Sequence, residues 1–166
     1  MNGIKKEIIN KSNILSLVLV VGIFLMDRIS KIKVINHILN NNSSIYINDY
    51  LNLDLVWNQG IGFGFFHLEP GGLYHSISLI IFCVILVLIF FITKSTNMEK
   101  FLYSLILGGA LGNFYDRILY FSVPDFIDVH FKDYHWFTFN IADIFISLGI
   151  ILFILKELTF RTNEKN

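Results

Sequence analysis

Residues 139–155 read FNIADIFISLGIILFIL. From Phe145 onward the stretch is almost pure hydrocarbon, the composition of a helix that crosses a bilayer. Its first turns nevertheless carry Asn140 and Asp143. An aspartate at the centre of a spanning helix costs about 2.5 to 3.5 kcal/mol. The segment is a membrane helix only if other parts of the chain supply partners for that acid, so the fold is decided by where those partners lie.

Three further apolar runs surround it: Ile14–Met26, Ile77–Ile92, and Phe101–Leu111 extending towards Ile118. The chain has 166 residues, of which 54% are hydrophobic and 16% charged, and its mean hydropathy is +0.61. Those values are too apolar for an ordinary soluble domain, and the length allows one domain. We therefore expect an all-α membrane protein with four transmembrane helices, over 12–37, 73–93, 101–120 and 139–158. The first run has a basic start in Lys5, Lys6 and Lys11, but LMDRISK follows where small cleavage-site residues would stand, so it is expected to be retained.

Net charge is zero, which gives no field for nucleic acid. With the N-terminus inside, eight basic residues (Lys5, Lys6, Lys11, Lys94, Lys100, Lys156, Arg161, Lys165) face the cytoplasm and five (Arg28, Lys31, Lys33, Arg117, Lys132) lie outside. That bias predicts both termini cytoplasmic. Cys83, the single cysteine, sits in an apolar run and is expected to be a buried, inert thiol.

The connectors carry the rest of the signal. Leu51, Leu53, Leu55 and Trp57 alternate with polar or smaller residues, which is strand spacing, and NQGIGFGFF follows from Asn58 with Gly60, Gly62 and Gly64 at every second place. Residues 43–70 are expected to form a small extracytoplasmic β-sheet cradle between helices 1 and 2. It is either an aromatic anchor at the interface or a platform for strand addition by an extended peptide. Residues 121–138 are expected as an outer loop. That loop holds Asp125, Asp128, His130, Asp133 and His135, but the spacing matches no recognised ligand motif, and no metal is expected.

Polar residues also mark the helix ends. Asp27 and Lys31 are four apart, acid first, and read either as an interfacial pair with the lysine snorkelling outward or as part of a site. Gly108 and Gly112 give a small-xxx-small packing face. Gly109, Asn113, Asp116 and Arg117 share one side of the third helix and form either a structural hydrogen-bond knot or catalytic support. Asn140, Asp143 and Ser147 make a polar stripe at the outer start of the fourth, where Asp125 arrives from the loop. Two carboxylates meeting there would share a proton, so that one can deprotonate water while the other donates to a carbonyl oxygen.

DRISK, NQGIGFGFF, GGALGNFYDRI, VPDFID and FNIADIFISLG together, from Asp27 to Gly149 and in this order, resemble the lipoprotein signal peptidases, the type II signal peptidases of bacteria. The resemblance implies a four-helix aspartyl endopeptidase of the bacterial inner membrane, without cofactor, active at the extracytoplasmic face. It would cut diacylglyceryl-modified prolipoproteins before the lipidated cysteine. Matched motif by motif, Asp125 and Asp143 would be the catalytic pair. Asp27, Lys31, Asn58, Gly60, Asn113, Asp116, Arg117 and Asn140 would support the site or bind substrate. Partners would be lipidated precursors and membrane lipids, with the chain monomeric. Arg28, Gly62 and Pro124 depart from the usual motifs. The rival readings are a proton-coupled carrier or channel, a metal-dependent phospholipid-modifying enzyme using Asp125, Asp128 and His130, and an assembly protein whose polar knots only hold helices together.

Overall fold

Asn10 opens the first helix by accepting the Asn13 backbone N–H on its side chain at 2.8 Å, which satisfies one of the orphan donors of a helix start. In the computed structural model, which describes residues 10–60 and 72–163, this helix, α1, spans Lys11–Asn41. It runs past residue 37 because Asn42, in left-handed backbone at φ 49°, donates its N–H to the Ile38 carbonyl and closes the end. Among the described residues three more helices follow: α2 (Gly72–Lys94), α3 (Asn97–Tyr120) and α4 (Ile141–Asn163). Thr96 and Glu99 form a reciprocal capping box at the start of α3.

Helix α3 is the centre of the bundle and packs on α1, α2 and α4. Its glycines make this possible. A Cβ added to Gly108 would lie 2.8 Å from Ile23 Cβ, and one added to Gly112 would lie 2.5 Å from Asp27 Oδ2. At Gly109 it would strike the Ala142 carbonyl of α4. Between the helices lies an apolar cluster of Val20, Ile85, Leu88, Ile92 and Leu107.

Burial is inverted relative to a water-soluble domain. Large apolar side chains such as Leu17, Val18, Leu79, Ile80 and Ile151 project outward, whereas Asp27, Lys31, Asp116 and Asn140 are fully buried. Helices α1 and α2 are each long and apolar enough to cross a membrane. Cys83 is exposed rather than buried. Helix α2 packs closely on α3 and only slightly on α1, so much of its surface turns outward.

A four-stranded antiparallel sheet covers one end: β1 (Ile45–Asn48), β2 (Leu51–Asn58), β3 (Val123–Phe131) and β4 (Tyr134–Phe139), in that order across the sheet. The cradle expected between the first two helices is thus only half of it. The segment 121–138, expected as a loop, is a hairpin that turns at Lys132 (φ 53°). Its apolar residues Val123, Ile127 and Val129 alternate with Asp125, Asp128 and His130 without a clean period, because β3 is buried along most of its length. That pattern hides a strand. The glycine–aromatic stretch from Ile61 to Phe66 lies outside the described residues.

Candidate active site

The polar start of α4 is a helix cap as well as a site. Asn140 stands just before the helix. Its side-chain oxygen accepts the Asp143 N–H at 3.1 Å, while Asp143 Oδ2 accepts the Asn140 N–H at 3.2 Å. This is capping-box reciprocity with aspartate in the third position. Asp27 of α1 supplies a further acceptor, taking the Ala142 N–H on Oδ1 at 3.1 Å. Helix starts leave N–H groups unpaired and carry partial positive charge, so carboxylates belong there.

Asp125 is brought to the same place by strand register. Val56 of β2 pairs with Asp125 of β3, and Asn58 pairs with Val123. Asn58 donates to Asp125 Oδ2 at 2.9 Å and Asn140 donates to Oδ1 at 2.6 Å. Asn140 therefore touches both acids: Asp125 through its amide nitrogen, Asp143 through its amide oxygen and backbone. Burial, with Asp143 nearby, pushes the Asp125 carboxyl up to about 7, against the opposing pull of the two amide donors.

Behind this pair lies a layer of buried charge. Lys31 Nζ donates to Asp27 Oδ2 (2.8 Å), Asp116 Oδ2 (2.7 Å) and Asn113 Oδ1 (2.9 Å), which uses all three of its protons. The lysine is wholly buried and does not snorkel, because three acceptors meet it in the interior. With its oxygen held by Lys31, the Asn113 amide turns its nitrogen to Asp143 Oδ1 at 2.7 Å. Arg117 donates to the Asn113 carbonyl (3.3 Å) and the Gly60 carbonyl (3.2 Å), and the Gly60 N–H returns to Asn58 Oδ1 (2.9 Å). One line of hydrogen bonds thus runs from Lys31 through Asn113 to Asp143. Another runs from Arg117 through Gly60 and Asn58 to Asp125.

The ten residues that the resemblance assigned to the site lie in this one connected network. Arg28 was not among them. It is buried, sits 2.6 Å from Asp116 Oδ1 without hydrogen-bond alignment, and lies 5.0 Å from the Tyr115 ring. Tyr74 is also missing from that set; it donates to the Arg117 carbonyl at 3.1 Å. A second cation inside a membrane-length helix was the available signal for Arg28, whereas Tyr74 left none.

A family model described as signal peptidase (SPase) II matches residues 19–159, the span that contains every group of this network. The chain belongs to the signal peptidase II family. Among its relatives, the lipoprotein signal peptidase of Pelagibacter ubique (strain HTCC1062) is 46% identical, over 95% of this chain and 99% of that one. The lipoprotein signal peptidase of Anaplasma phagocytophilum (strain HZ) is 34% identical over 92% and 97%. A solved structure described as a bacterial membrane enzyme superposes with a TM-score of 0.74 at 28% identity, covering 90% of each chain. As a signal peptidase II the chain is a peptidase of a membrane enzyme family, and its buried acids are to be understood in that light.

Proposed function

We propose that this chain removes the signal peptides of diacylglyceryl-modified prolipoproteins, cutting on the N-terminal side of the lipidated cysteine, with Asp125 and Asp143 as the catalytic pair. The observation that carries the reading is the joining of these two acids, one from a sheet and one from a helix start, through the single amide of Asn140.

The charge count supports one shared proton. The network holds four acids (Asp27, Asp116, Asp125, Asp143) and three cations (Arg28, Lys31, Arg117). It is neutral when one carboxyl stays protonated, and buried networks are costly away from neutrality. Asp125 carries that proton and Asp143 is ionised. With the scissile carbonyl between them, Asp143 takes a proton from water as the water oxygen bonds to the carbonyl carbon. Asp125 gives its proton to the carbonyl oxygen. The gem-diol collapses as Asp143 passes its proton to the leaving nitrogen and Asp125 recovers one from a diol hydroxyl.

All four helices cross the bilayer in this reading. Helix α2, at 23 residues, would extend about 35 Å at 1.5 Å per residue, enough for a hydrocarbon core of about 30 Å. Lys11, Lys94, Lys100 and Lys156 mark the cytoplasmic end, and the sheet and the two acids lie at the outer face. Among the described residues, the buried polar side chains between these two ends are Ser16 and Ser104, which gives a proton-coupled carrier no relay. The chain acts as a monomer in contact with membrane lipids, and Gly60 begins the segment along which the substrate peptide lies.

The test is a reconstituted assay with a lipidated precursor. Asp125→Asn and Asp143→Asn should each lower turnover by about 10²- to 10⁴-fold or more while the protein stays folded. Undiminished turnover by either variant would refute the pair.

A further inference from the structure

The β3–β4 hairpin holds a second cluster that the peptidase reaction does not use. Asp128 and His130 are two apart on β3 and so project from one face. His135 of β4 is the cross-strand partner of His130. Each of the three offers a ligand atom within 4.8 Å of the others. Asp128 Oδ2 lies 2.8 Å from His135 Nδ1 and 3.4 Å from His130 Nδ1. Ligand bonds of about 2.0 to 2.1 Å set tetrahedral ligand separations of about 3.3 Å, so small side-chain rotations suffice.

Two buried atoms nearby have no hydrogen-bond partner: His130 Nδ1 and Asn52 Oδ1. The other ring nitrogen of His130, Nε2, is 3.5 Å from Asn52 Nδ2. The oxygen and nitrogen of an amide are placed by their bonding and not by their shape. Turned over, Asn52 would accept from His130 Nε2–H, and the lone pair on Nδ1 would then face Asp128 and His135. A ligating histidine whose far nitrogen donates to an oxygen is the usual outer arrangement of a metal site. The turned amide gives Asn52 Oδ1 its partner, and a cation at Nδ1 accounts for the atom that remains unpaired.

We propose that Asp128, His130 and His135 bind a divalent transition metal, zinc by ligand type, which clasps the β3–β4 hairpin. Two imidazoles and one carboxylate suit zinc, and the exposed side of His135 leaves a fourth position for water. Asp125 is not a ligand, so the metal takes no part in hydrolysis. It secures the strand that carries Asp125 and the strand that leads to Asn140. The sequence concealed the set because its ligands are joined by cross-strand pairing, with a register shift between Val129 and His130.

The test uses full-length protein in detergent, its affinity tag removed, stripped by chelator and titrated with Zn²⁺ and then Co²⁺ at neutral pH. A single equivalent of Zn²⁺ should bind and raise the unfolding temperature, and Co²⁺ should give a tetrahedral ligand-field spectrum. His135→Ala, at an exposed position that tolerates change, should abolish all three signals. Asn52→Ala should weaken binding by about 10- to 100-fold, and Asn52→Asp, which keeps the acceptor, should restore it. His37→Ala, at an exposed histidine outside the cluster, should bind as the parent does. Absence of stoichiometric binding, or equal binding by folded His135→Ala, overturns the proposal.

Discussion

Asp125 accepts an amide proton on each carboxylate oxygen, yet its acidity is still weakened to about 7 by burial and by Asp143. An unfolded aspartate has a pKa of about 3.9. Between those values the folded chain keeps a proton that the unfolded chain has lost, so this group's contribution to stability falls as pH rises through the window. In the proposed mechanism the same proton is the one given to the carbonyl oxygen. The value of kcat/KM should therefore decline as pH rises through about 7, and a pH–rate profile in lipid nanodiscs measures it. A flat profile up to pH 9 would remove Asp125 as the acid. Lys31 shows the complementary case. Its full burial is tolerated because three oxygens meet three protons, and a long side chain that could have reached the surface stays inside.

Between helices, the close approach of α3 to α1 and α4 depends on atoms that are missing. Gly112→Ala would set a methyl 2.5 Å from Asp27 Oδ2, where overpacking costs about 1 to 3 kcal/mol. It would also displace the acid that caps α4. Gly22→Ala is the control: nothing lies within 4 Å of the added carbon, and alanine in a helix interior is favoured over glycine by about 0.5 to 1 kcal/mol. Thermal unfolding in detergent should show a lower midpoint for the first variant and an unchanged or higher one for the second. The glycine pair was legible as a packing face from its spacing, and the capping acids from the cost of placing them in lipid. The β3–β4 hairpin was not legible. Strand patterning requires one wet face, and β3 has almost none, so Asp125 could be given a level along the membrane normal but not a strand or a register. Arg28 was read as an outer-side charge and a departure from a motif, since nothing in its neighbours Asp27 and Ile29 foretold that Asp116 of another helix would meet it.

For the molecule as a whole, the orientation proposed from the charge bias can be measured. In a Cys83→Ser background, a cysteine placed at Asp133, in the turn between β3 and β4, should react in intact cells with a membrane-impermeant maleimide. One placed at Ser95, between α2 and α3, should react only after permeabilisation. The reverse pattern would place the acids on the cytoplasmic side and exclude the proposed topology. The charged network is also built from distant parts of the chain. Asp27 and Lys31 lie on the first helix, Asn113 and Asp116 on the third, Asn140 just before the last and Asp143 in its first turn. During synthesis the first two are made more than a hundred codons before the residues whose N–H groups and amide complete the assembly. A ribosome that stops short of Asn140 releases a fragment with neither the link between the acids nor a cap for Asp27 to make. In the proposed mechanism hydrolytic competence would appear only when the final helix joins the others, so a truncated translation product could cut nothing.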